Sequence, residues 1–207
     1  DVYGVSDVLA MGVDPDFPDQ FGQYALVAAA FFGQLGVVRL LLGKDCDTTV
    51  TDEMGRDALM AASSSGHDAV VSLLLDVGFP LDRTTHVSGS TALHLATWNG
   101  HIRVAQQLLQ RGADVHKPNT DGMTPLMYAA RDGHSLMAKL LLQHGARVDA
   151  TNETDLGNTA LMYAAMKGRK RVIRTLLTSG ARLDFANEDG ATALDFAQRA
   201  RAESALA

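Results

Sequence analysis

Cysteine is almost missing: Cys46 stands alone among 207 residues. An internal disulfide is therefore excluded, and the chain suits a reducing compartment, cytoplasmic or nuclear. Long apolar runs are missing too. The longest, YALVAAAFF from Tyr24 to Phe32, ends at Gly33 and falls well short of the roughly 18 to 20 residues of a bilayer span. The N-terminus, DVYGVSDVLAMG, has neither an initiator methionine nor the basic segment of a secretory leader, and it reads as the cut edge of a longer chain.

Catalytic patterns are also scarce. There is no P-loop glycine pattern and no Gly-x-Ser-x-Gly elbow, and Ser63, Ser64 and Ser65 fall at the end of a helical segment. Cys46 lies between Asp45 and Asp47, neighbours that raise a thiol pKa rather than activate it. No enzyme, cofactor or metal is expected. The net charge of −6 argues against a general nucleic-acid binder and hides an asymmetry. Residues 1–100 carry 13 Asp and Glu against 4 Lys and Arg, whereas residues 101–207 carry 11 against 14.

What the chain does contain is a repeat. A leucine preceded by Ala or Pro recurs as Leu26, Leu59, Leu93, Leu126, Leu161 and Leu194, at intervals of 33 to 35 residues. A glycine follows seven residues after each of the first five (Gly33, Gly66, Gly100, Gly133, Gly168). A leucine pair follows at fifteen and sixteen, from Leu41 and Leu42 to Leu176 and Leu177. At nineteen come Gly78, Gly112, Gly145 and Gly180, with Asp45 in the first unit where a left-handed residue is expected.

Each marker has a physical role. Asp57, Thr91, Thr124, Thr159 and Thr192, two before the leucine, are N-cap residues, and Tyr24 replaces them in the first unit. An alanine three after each leucine allows close helix approach. The first glycine ends a short helix in a turn, and the second ends a Leu-rich antiparallel helix.

The segments DGMTPLMYAARDGHSLMAKLLLQHGARVDA and GSTALHLATWNGHIRVAQQLLQRGADVHK resemble ankyrin repeats, and the resemblance covers nearly the whole chain. It implies an all-α solenoid of stacked helix-turn-helix units joined by β-hairpin-like fingers, one domain over 1–207. The expected divisions are a partial N-terminal repeat at 1–18, full repeats at 19–51, 52–85, 86–118, 119–153 and 154–186, and a C-terminal cap at 187–207. The cap reads as a first helix with a shortened, more polar second helix. Extra residues in DRTTHVSGS and TNETDLGN fall in the fingers, which are expected to protrude further.

The resemblance gives the recurrent Gly66-His67, Gly100-His101 and Gly133-His134 pairs a structural role in the turn. Equivalent residues of neighbouring units lie roughly 10 Å apart, too far to share a metal ligated at about 2 Å. His94 is expected to join Thr91 in a capping arrangement.

Positions one and five after each leucine lie on one helix face, which the resemblance places on a concave surface flanked by finger tips. That face supplies Phe31, Met60, Trp98, Met127, Arg131, Met162 and Met166, with Lys167 beside them. The fingers supply Phe21, Met54, Arg56, Met123 and Asn158. Aromatic anchors and adaptable thioethers suit a groove for a peptide or helix, with Trp98 as the central anchor and Arg131 and Lys167 a rim for an acidic part of the ligand.

The expected function is a non-enzymatic, monomeric protein-interaction module, a scaffold, an adaptor or a regulatory domain. Two alternatives remain. One is electrostatic binding of an acidic ligand, a lipid headgroup or nucleic acid through Lys167, Arg169, Lys170, Arg171 and Arg174. The other is intramolecular docking within a larger enzyme or channel.

Overall fold

The computed structural model describes residues 2–206, with side chains over 4–201 except at position 8. Residues group into two compact units, Asp1–Ala113 and Asp114–Ala207. In the first unit, α1 (Val2–Ala10) precedes three helix pairs. These are α2 (Ala25–Phe31) with α3 (Leu35–Leu42), α4 (Ala58–Ser65) with α5 (Asp68–Val77), and α6 (Ala92–Trp98) with α7 (Ile102–Gln110). The second unit has α8 (Pro125–Asp132) with α9 (Ser135–Gln143), then α10 (Ala160–Met166) with α11 (Lys170–Thr178). A last helix, α12 (Ala193–Leu206), follows.

First helices stack on first helices, α2 on α4 on α6 and α8 on α10 on α12, while α3, α5 and α7, and α9 and α11, form the second layer. The reason lies in the repeated markers. Leu59, Leu93, Leu126 and Leu161 are sealed in the interior with the alanines three residues on. Within each unit the second helices add their own buried leucines, Leu41, Leu74 and Leu108 in the first and Leu141 and Leu176 in the second.

Caps hold the first helices in register. The side chains of Asp57, Thr91, Thr124 and Thr159 each accept a hydrogen bond from the amide of the third helical residue. Tyr24 gives α2 no such bond. Asp45 takes the left-handed conformation at φ 54°, which an L-residue adopts at a cost that glycine avoids.

The fingers absorb their extra residues locally. In TNETDLGN a two-stranded antiparallel ladder forms, β1 (Thr151–Asn152) against β2 (Asn158–Thr159), with Leu156 left-handed at φ 55°. In DRTTHVSGS, Thr85, Ser88 and Ser90 close a hydroxyl network.

The C-terminal cap differs from expectation. Instead of two helices, α12 is one continuous helix of 14 residues. No glycine stands seven after Leu194; the position is Arg201, and Ala, Gln, Arg and Glu all favour continuation.

Candidate functional site

In the first unit two histidines lock their turns to the repeat before. His67 Nε2 lies 2.9 Å from the Phe31 carbonyl oxygen, and His101 Nε2 lies 3.0 Å from that of Ser64. The imidazole rests on the preceding glycine: a Cβ on Gly33 would come within 2.5 Å of His67 Nδ1. In the fifth repeat Arg169 replaces the histidine, its Nε donating to the Arg131 carbonyl at 3.0 Å. Arg169 therefore takes part in the scaffold while its side chain stays exposed. Among the described residues no group of three or more His, Cys, Asp or Glu side chains could hold a metal ion.

The expected ladder of contact residues divides sharply. Met60, Met123, Met127, Asn158 and Met162 are buried, none more than 5% exposed. They offer no surface to a partner. For Met127 and Met162 the burial has a cause shared with His94, whose Nδ1 accepts from the Thr91 amide at 3.2 Å. Met127 and Met162 occupy the same helix position, and their Sδ atoms accept from Thr124 and Thr159 amides at 3.4 Å. The side chain folds back over the helix start and completes the cap.

Five residues after the repeat leucine the outcome is the opposite. In the first unit this position holds Phe31, Ser64 and Trp98 in successive helices; Phe31 is 38% and Trp98 51% exposed. Phe21 and Met54 on the fingers are also exposed. Phe31 meets Phe32 edge to face at 5.2 Å, and the Arg56 guanidinium lies 5.3 Å from its ring centre. Arg56 is in turn tied to Asp52, Nε to Oδ2 at 2.7 Å. A cavity of about 170 Å³ opens here, lined by Tyr24, Val27, Phe31, Phe32 and Arg56.

In the second unit the same position holds Arg131, Met166 and Arg199. Arg131 is not an open rim charge. Its guanidinium pairs with Asp132 at 3.0 and 3.1 Å and lies over the Tyr128 ring at 4.7 Å. Beside it Tyr163 donates to Asp155 at 2.5 Å and accepts from Asn152 at 2.8 Å, and burial with that carboxylate holds its phenol well above the usual range. Met166 and Lys167 are exposed.

Stacked helix-turn-helix units, capped at a recurrent Thr and turned at a recurrent Gly, define the class as a helical repeat array. A family model described as ankyrin repeats (3 copies) matches residues 4–85, 26–119, 78–152, 113–187 and 148–206. The chain belongs to the ankyrin repeat family. Among solved structures it is similar to the ankyrin repeat domain of Bcl-3, titled a unique member of the IkappaB protein family. That likeness has a TM-score of 0.82 at 30% identity and covers 94% of this chain and 86% of that one. A comparison with curated protein sequences gives no match. Ankyrin repeats generally serve as protein–protein interaction modules.

Proposed function

We propose that the chain is a non-enzymatic module that grips a peptide or helical segment of a partner protein through the exposed first-helix face of its first unit. One observation carries the reading: Phe31 and Trp98, large apolar groups at 38% and 51% exposure, hold the same helix position on either side of Ser64. Neighbouring first helices lie about 10 Å apart, so the small serine forms a notch between two aromatic walls. Exposed aromatic pairs of this kind are typical anchors of binding surfaces.

Residues 1–113 carry 13 Asp and Glu against 6 Lys and Arg. That balance favours a ligand with basic residues beside its apolar ones, rather than the acidic ligand expected from Arg131 and Lys167. Phe21, Met54 and Arg56 extend the face toward the fingers. The reading also covers docking within a longer chain, since an intramolecular segment would use the same contacts.

The test is a peptide selected from a random library against the wild-type chain. Trp98→Ala and Phe31→Ala should each weaken its binding by about 1 to 3 kcal/mol with the melting transition retained. Unchanged affinity in both variants would remove the support for this face.

A further inference from the structure

We infer that the outer helix pair of the second unit, α9 and α11, is a separate docking surface for an acidic peptide segment carrying an aliphatic side chain. Equivalent outer helices of the two units differ in charge pairing. In the first unit two outer cations are matched: Arg103 on α7 faces Asp68 on α5 at 3.8 Å, and Arg111 is paired with Asp76. Those acids stand nine and seventeen residues after Leu59. Counted from Leu126, the same two positions hold Ser135 and Gln143.

Arg171, ten residues after Leu161 as Arg103 is ten after Leu93, has lost its counter-charge. Neither α9 nor α11 contains an acidic residue. Lys139 and Arg174, both thirteen after their repeat leucines, hold equivalent places on the two helices, roughly 10 Å apart. With Lys170 and Arg171 they make a group of four exposed cations. Arg169 is anchored to the Arg131 carbonyl through Nε.

Charge is only half of the surface. Leu136 on α9, at the position of Arg171, is 67% exposed. A cleft of about 320 Å³ runs beside Lys139, walled by Leu142, Ala146 and Val148 with Ser179 across it. A bilayer is flat and cannot fill such a cleft, and duplex nucleic acid is held by a longer basic track, about 6 to 10 phosphate contacts. The unit as a whole is nearly neutral, with 12 Lys and Arg against 11 Asp and Glu. A short segment fits both features: carboxylates against Lys139, Lys170, Arg171 and Arg174, and one aliphatic side chain in the cleft.

The experiment uses a fluorescent synthetic peptide of glutamates around a central leucine, and its counterpart with serine at the centre. The full chain should bind the leucine peptide, with affinity falling as salt rises. Lys139→Glu and Arg174→Glu should each weaken binding at least about tenfold, while Lys44→Glu in the first unit leaves it unchanged. The serine peptide should bind about tenfold less well. If a reversal fails to fold by circular dichroism, the Lys139→Gln and Arg174→Gln variants should show a smaller loss in the same direction. Equal affinity for both peptides, insensitivity to the reversals, or tighter binding to phosphatidylserine vesicles or duplex DNA would overturn the proposal. So would self-association that the reversals abolish, which would make a second copy the occupant.

Discussion

Asp57 is a cap with a cost. Its Oδ1 accepts the Met60 amide at 2.9 Å, but Oδ2 is buried without a hydrogen-bond partner and lies 3.8 Å from Arg83. Burial raises its pKa, against the opposing pull of the Met60 amide and Arg83. The folded chain therefore holds this proton more tightly than the unfolded chain does. The contribution favours folding in acid and is lost as pH rises through the folded value. Asparagine keeps a capping oxygen without the charge. Asp57→Asn should therefore be more stable than wild type in urea titrations near neutral pH, and the advantage should shrink as pH falls toward the ordinary carboxylate range. A difference that does not change with pH would contradict this cause.

Cys46 is a second buried ionisable side chain. Burial first, then Asp16, Asp47 and Asp45, push its thiol up to about 11. At pH near 8 the thiolate fraction is then roughly a hundredfold below that of an ordinary thiol. Labelling by a disulfide reagent should be slower by about that factor in the folded chain and recover fully in denaturant. Rapid labelling of the native state would contradict it.

At the scale of the element, the cap explains why methionine is buried. Met162 Sδ accepts from the Thr159 amide, and Met162 N donates to Thr159 Oγ1, both at 3.4 Å. Met162→Leu preserves volume but strands a buried amide. It should cost about 1 kcal/mol more than Met137→Leu in α9, a comparison that chemical denaturation resolves; equal costs would mean that the thioether serves as packing alone.

The same geometry shows what was legible in the sequence. Thr91 with His94 reads as a cap because histidine is a familiar hydrogen-bond acceptor. Thr124 with Met127 and Thr159 with Met162 have the same spacing, yet methionine signals an apolar surface, and the pattern points to a groove that burial removes. Helix starts, turns and stacking order were legible because each rests on a residue type with one conformational role, such as the glycines at seven and nineteen. In the sequence the continuous α12 is misread as two helices, because the repeat pattern outweighs the missing glycine at Arg201. The exposed position of Phe31 and Trp98 could be read from the polar residues that fill it in sister repeats. The pairing of Arg131 with Asp132 could not, because adjacent residues on a helix do not ordinarily face each other.

At the scale of the molecule, the two compact units present different chemistry. The first is acidic, pairs Arg103 and Arg111 with acids of the preceding repeat, and exposes aromatics on its first helices. The second is close to neutral, and its outer helices carry cations whose acidic counterparts are replaced by Ser135 and Gln143. Exposed positions that differ between repeats are where binding is expected.

The central claim is that a partner segment covers the aromatic face of the first unit. Trp98 is the chain's single tryptophan, so indole emission reports on that residue alone. Titrating the library-selected peptide should shift the emission to shorter wavelength and protect it from acrylamide quenching, at the same concentration that saturates fluorescence anisotropy of the labelled peptide. Saturable binding with unchanged emission and unchanged quenching would place the ligand elsewhere and contradict the account.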